Sequence, residues 1–309
     1  MTPTQILEHP ANVFSQNARE AYFQYGYAVA HGAIGEPWLS KLRAVAAAKV
    51  EQSRVVSASD DQFDLDPRHT ADSPRVRRLK KAVDQHPDLW AFASAPPLTD
   101  IAADLVGPAV KFHSSKLNYK WSDGGDEVRW HQDIQAWPHS NFSPVTLGIY
   151  LEDTGPEQGP LAVIPGSHAG ELFEMYGPDG TWTGAVSDAD LARVPLDSAI
   201  ELCGSAGTVI AIHCRTVHGS RVNFSNQVRP LLLYVYSSAD AMMLCQPPAP
   251  TTRTGDVVRG EPARYAHIEP LDCRLPPRWE QVGYGSIFTV QGTGDDPEAV
   301  PGHVLERDR

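Results

Sequence analysis

Cysteine is scarce in this chain: four in 309 residues, at Cys203, Cys214, Cys245 and Cys273, with no CxxC spacing. That argues against a disulfide framework and a zinc knuckle, and suits incidental thiols in a cytoplasmic protein. Long hydrophobic runs are missing too; none approaches the ~18–20 residues of a membrane span. The opening MTPTQILEHPANVF has neither a basic nor an apolar stretch, so no secretory signal is read there. Basic residues are in deficit, 26 against 38 acidic ones, for a formal charge of −12. The basic footprint of a nucleic-acid binder is therefore absent. What remains is 41% hydrophobic and 21% charged, too apolar for wholesale disorder. The expectation is one soluble domain over 1–309, with no membrane or nucleic-acid partner. Nothing in the sequence reports the oligomeric state.

Two textures follow one another along the chain. Residues ~16–107 read as mainly helical. In GEPWLSKLRAVAAAKVEQS, Trp38, Leu39, Leu42, Val45 and Ala46 recur at helical spacing, behind a break at Gly35-Glu36-Pro37. A second helical patch, DLWAFASAPPLTDIAADLVG, is split by Pro96-Pro97, and the polar, proline-broken stretch 56–80 reads as a surface excursion. From ~108 to ~240, short β-rich runs alternate with Gly, Pro and Asp punctuation, the pattern of a sandwich or barrel. VTLGIY and LLLYVY are apolar on both faces, which suits the inner layer of a two-sheet roll. Residues 165–206 interrupt the strands with a Gly/Asp-rich insertion. A proline-rich extension, 246–309, closes the chain, and its end from Gly292 is expected to be mobile.

The chemistry gathers at His131-Gln132-Asp133, at the end of a β-like run. Side chains at i and i+2 of a strand share a face, so one imidazole and one carboxylate converge. His218 is a candidate third ligand. Two histidines and a carboxylate make the facial triad of non-haem Fe(II) oxygenases, which leaves the opposite side of the metal open. Arg229 opens the strand RPLLLYVYSS, and its planar fork suits the distal carboxylate of a keto-diacid. His213 stands at an odd offset from His218 and should point away from such a metal.

Taken together, WHQD at 130–133, GPLAVIPGSH at 159–168, HGS at 218–220 and Arg229 resemble the phytanoyl-CoA dioxygenase family of Fe(II)/2-oxoglutarate oxygenases. The likeness is densest over 111–238. It implies a mainly β fold with flanking helices around a double-stranded β-helix (jelly-roll, cupin-like) core. It places the metal on His131, Asp133 and His218, and the 2-oxoglutarate carboxylate on Arg229. The string SKLNYK…WHQDIQAW is similar to the ectoine hydroxylase branch, which implies that Asn118, Lys120 and Trp137 lie near 2-oxoglutarate. Lys116 stands where that branch favours arginine and Tyr150 where it has a small hydroxyl residue. Gln135 and His139 also depart from it, so the substrate stays open.

The implied activity is hydroxylation of an unactivated C–H bond using Fe(II), 2-oxoglutarate and O₂, with release of succinate and CO₂. Asp133 favours oxygenation over chlorination, because related halogenases carry a small residue there. A small polar metabolite or natural-product intermediate is the expected substrate, with Arg129, His139 and Arg221 as candidate contacts. The loop 135–144, the insertion 169–206 and the proline-rich tail are candidates for a water-excluding cover. Two other readings remain at this point: a non-catalytic metal-binding β-roll, and a cupin-type enzyme independent of 2-oxoglutarate.

Overall fold

A computed structural model describes residues 1–122 and 126–292. In chain order its strands are β1 (Tyr27–Ala30), β2 (Phe63–Leu65), β3 (Val76–Lys80), β4 (Val110–Lys120), β5 (Val128–His131) and β6 (Val145–Tyr150). They continue with β7 (Leu161–Val163), β8 (Ile200–Leu202), β9 (Val209–His213), β10 (His218–Ser220), β11 (Arg229–Ser238) and β12 (Val257–Arg259). The major sheet runs β1-β9-β6-β11-β4-β3-β2, with β12 paired to β4, and the minor sheet runs β5-β10-β7-β8. All of these pairings are antiparallel. From β4 to β11 the chain passes back and forth between the two sheets, with β7 and β8 forming a consecutive pair within the minor one, the jelly roll that the sequence implies.

The runs that are apolar throughout owe this to being covered on both sides. Along β11, Leu231 and Leu233 face the minor sheet, with Tyr150, Ile210 and Ile212. Leu232, Tyr234 and Tyr236 face the other way, into a larger core with Leu42, Phe92 and Ile101. That second face is roofed by the helices Glu36–Gln52, Pro87–Ala93 and Leu98–Val106. Glu36–Gln52 starts behind Gly35, has proline in its first turn, and buries Leu39, Leu42, Val45 and Ala46. The polar tips of the two tyrosines are satisfied within this apolar layer: their hydroxyls donate to the carbonyls of Leu89 (2.9 Å) and Ala93 (2.7 Å).

The sequence reading needs correction outside the core. The mainly helical part contains three strands. Stretch 56–80 is not a surface excursion, because β2 and β3 extend the major sheet beside β4. Their alternation was masked by charge: Phe63, Leu65, Val76 and Leu79 are buried, but so are Asp64, Arg77 and Arg78. Arg77 Nη2 donates to Asp64 Oδ1 at 2.8 Å, the kind of pairing that lets charge enter a sheet interior. The insertion at 165–206 contributes β8. The proline-rich extension contributes β12 and two short helices, Trp279–Val282 and Ile287–Gln291. The expected mobile end falls almost wholly on 293–309, outside the described residues. Among those described, no helix is long and apolar enough to cross a membrane.

Candidate metal centre

β5 ends at His131, β10 begins at His218, and the antiparallel register sets the two residues opposite one another. Their ring centroids are 4.1 Å apart. Gly219 permits this approach, since a Cβ there would lie 2.8 Å from the Val128 carbonyl oxygen. Beyond His131 the backbone stays extended at Gln132 and then enters a 3₁₀ turn, Asp133–Gln135. Asp133 therefore shares the side of His131 although the strand has already ended. Its Oδ1 is 3.8 Å from His131 Nε2 and its Oδ2 4.0 Å from His218 Nε2. One donor atom from each residue lies within 4.8 Å of the other two, and all three residues are buried.

The surroundings prepare these donors for a cation. His131 Nδ1 lies 2.9 Å from the Arg129 carbonyl oxygen, and His218 Nδ1 lies 3.0 Å from that of Thr216. A carbonyl can only accept, so each Nδ1 carries the proton and each Nε2 lone pair faces inward. Burial, reinforced by the imidazole of His218, holds His131 well below the ordinary histidine range, in the neutral form a metal requires. For Asp133 burial acts upward, but His218, Lys116, His131 and the Thr146 hydroxyl prevail and keep the carboxyl ionised. Thr146 on β6 donates to Asp133 Oδ2 at 2.6 Å. Gln132, fully buried, locks the turn. Its amide donates to the carbonyls of Glu171 and Arg215, and its oxygen accepts from Phe173 N and Gln135 Nε2.

Two connected chambers meet at the triad. The inner one runs between the sheets to Arg229 and is lined by Asn118, Lys120, Thr146, Ser220 and apolar side chains of β7, β9 and β11. Arg229 is buried, yet its Nε and Nη1 have no hydrogen-bond partner among the described residues. An unpaired buried guanidinium is costly, and its planar fork fits a carboxylate, so the cradle suits the distal end of a keto-diacid. Lys120, opposite Arg229 in the β4–β11 register, donates to Ser220 Oγ at 2.7 Å and to the Arg221 carbonyl. Asn118 Oδ1 accepts from Arg78 Nε at 2.8 Å. The outer chamber is lined by Arg78, His113, Lys116, Trp137, Trp182 and Tyr284, among others. All three expected covers contribute to its wall: Trp137 from the first loop, Met175 and Trp182 from the insertion, and Pro248 and Tyr284 from the tail.

Trp137 thus lines the outer chamber and not the one holding Arg229. The three expected substrate contacts line neither. Arg129 turns toward Asp188 on the exterior, with Nη2 to Oδ1 at 3.4 Å. Arg221 pairs with Glu201 at 2.5 Å on the rim. His139 is buried beside His113, its Nδ1 2.7 Å from the Trp137 carbonyl oxygen. His213 points away from the triad, toward His168 and Tyr22, as its offset required. The sequence reading missed Thr146, Ser220, Arg78 and Tyr284. Only Thr146, a hydroxyl within a doubly buried strand, carried a local signal.

The family model for phytanoyl-CoA dioxygenase (PhyH) matches residues 22–231. The chain belongs to this family. Among curated proteins, it is 31% identical over 200 residues to a probable alpha-ketoglutarate-dependent hypophosphite dioxygenase of Stutzerimonas stutzeri, covering 63% of this chain and 69% of that one. It is 30% identical over 180 residues to an ectoine dioxygenase of Sphingopyxis alaskensis, covering 54% of this chain and 59% of the relative. The crystal structure of EctD from S. alaskensis with 2-oxoglutarate and 5-hydroxyectoine superimposes with a TM-score of 0.65 at 25% identity, over 82% of this chain and 89% of the other.

Proposed function

We propose that this phytanoyl-CoA dioxygenase family member is an Fe(II)- and 2-oxoglutarate-dependent hydroxylase acting on a C–H bond of a small polar metabolite or natural-product intermediate. The observation that carries this reading is the pairing of a three-donor cluster with a buried guanidinium, two of whose nitrogens have no partner among the described residues, at the far end of one chamber. A metal-binding module has no use for the second feature, and an enzyme independent of 2-oxoglutarate would leave Arg229 buried without function.

In this reading His131, Asp133 and His218 hold the ferrous ion, while Arg229, with Lys120 and Asn118 beside it, holds the keto acid. Ferrous iron and 2-oxoglutarate, when bound, supply the O₂ chemistry that cleaves the C–H bond, with succinate and CO₂ as by-products. The chain fixes the imidazole tautomers through two carbonyls, holds Asp133 ionised and oriented through Thr146, and screens the chamber from water with Trp137, Trp182 and Tyr284. Free thiols at all four cysteines are consistent with a cytoplasmic setting. The decisive experiment is anaerobic Fe(II) titration with and without 2-oxoglutarate, followed by succinate detection across a metabolite library in air. Substrate-triggered succinate is expected. Turnover of a metabolite without 2-oxoglutarate would refute the assignment.

A further inference from the structure

Resting on the oxygenase reading, we propose that the substrate is an anion whose carboxylate or phosphonate-type head is held in the outer chamber by Lys116 and Arg78. The inner face of the major sheet carries two cross-strand pairs of basic residues, Arg229 opposite Lys120 and Lys80 opposite Lys116. Between them Arg78 stands opposite Asn118. Like charges directly opposite on a sheet repel, so such pairs need an outlet or a counter-anion. The first pair has the co-substrate carboxylate. Lys80 has an outlet of its own, as its ammonium donates to the Asp60 carbonyl at 2.6 Å.

Lys116 has only the distant attraction of Asp133: its ammonium makes no hydrogen bond or ion pair with a described residue and faces the chamber beside the triad. Arg78 spends Nε on Asn118 and lies 5.3 Å from the Phe288 ring centroid. Among the described residues the chamber wall carries Arg78, Lys80, Lys81 and Lys116 against a single carboxylate, Asp133, which the metal claims. This local excess of positive charge stands in a chain of formal charge −12. It is the reverse of what net charge implies, and it focuses field where a substrate would sit. Trp137, Trp182 and Tyr284 supply the apolar walls for the remainder of the ligand.

The test uses the full chain loaded with Zn(II) and saturated with 2-oxoglutarate, so that nothing turns over. Benzoate, phenylphosphonate and benzamide serve as probes, followed by the fluorescence of the tryptophans lining the chamber. The anions are expected to bind about tenfold or more tighter than the amide, as charge-assisted bonds do. The ratio between benzoate and phenylphosphonate then identifies the preferred head group. Lys116→Met should reduce the preference over benzamide to within about twofold, and Lys116→Arg should restore most of it. The affinity for 2-oxoglutarate should stay within about threefold in both variants. Equal binding of benzoate and benzamide by the parent protein, or no binding of any probe, would overturn the inference while leaving the oxygenase reading intact. Lys116 borders both chambers, so a Lys116→Met variant that loses 2-oxoglutarate but keeps the anion preference would overturn it as well, by assigning the ammonium to the co-substrate. Failure of the parent protein to bind 2-oxoglutarate would bring down the underlying reading and this inference together.

Discussion

Replacing Arg229 with methionine should move stability and co-substrate affinity in opposite directions. The guanidinium is buried with two nitrogens unpartnered, and each unmet buried donor costs about 1–3 kcal/mol. An apolar chain of similar length removes that penalty, and precedents for such replacements fall at about 1–4 kcal/mol of stabilisation. At about 2–4 °C per kcal/mol for a chain of this size or somewhat smaller, the ligand-free variant should melt several degrees higher. With 2-oxoglutarate the sign reverses. Two charge-assisted bonds of about 1.5–3 kcal/mol each vanish, and Lys120 retains part of the attraction, so affinity should fall about a hundredfold or more. Thermal melts of the Zn(II)-loaded protein read both effects. At 2-oxoglutarate a hundred times its Kd the parent gains about 2.7 kcal/mol; the variant at that concentration should gain almost nothing. A variant that melts lower without ligand and keeps the full 2-oxoglutarate shift would refute the argument on both counts.

Thr146→Val removes the hydroxyl that holds Asp133 Oδ2 and should weaken Fe(II) about 10–100-fold in anaerobic titration while the fold survives. Asp133→Ala should abolish iron binding. His213→Ala should leave iron bound and lower the melting temperature, because its ring packs against His168 and Tyr22; iron loss there would contradict the ligand assignment. Asp66 is buried; burial would raise its pKa, but bonds from Arg68 and the charges of Arg68 and Arg75 hold it below the ordinary value. A carboxyl depressed by folding stabilises above its unfolded pKa of about 3.9, and that contribution is lost as pH falls through the folded value. The stability gap between the parent and Asp66→Asn, from denaturant unfolding, should thus be widest near neutrality and close toward strong acid. A gap that does not change with pH would contradict this account.

The jelly-roll core was legible because its strands answer to one dominant force. β6 and β11 are buried on both faces, so their composition alone announces two covering layers. The triad was legible because its residue types are rare in combination and the spacing HxD is local. β2 and β3 were not, since a sheet edge that carries Asp64, Arg77 and Arg78 inward loses the apolar alternation from which strands are read. The chamber-lining residues that escaped notice, Arg78 and Tyr284, come from segments that meet the core only in three dimensions. Arg129 and Arg221 looked available for substrate because they flank the ligands in sequence. Each has an acidic partner on the outside, Asp188 and Glu201, which nothing in their local sequence discloses.

The position of the two histidines on facing strands gives the bound ion a mechanical role. β5 and β10 belong to segments made far apart during synthesis, and the minor sheet joins them by few backbone contacts, interrupted by a register shift beyond His218. An ion gripped by both strands acts as a rivet through that seam. Stripping it with a chelator should speed amide exchange first along β5 and β10, while the helix-roofed β11 keeps its protons.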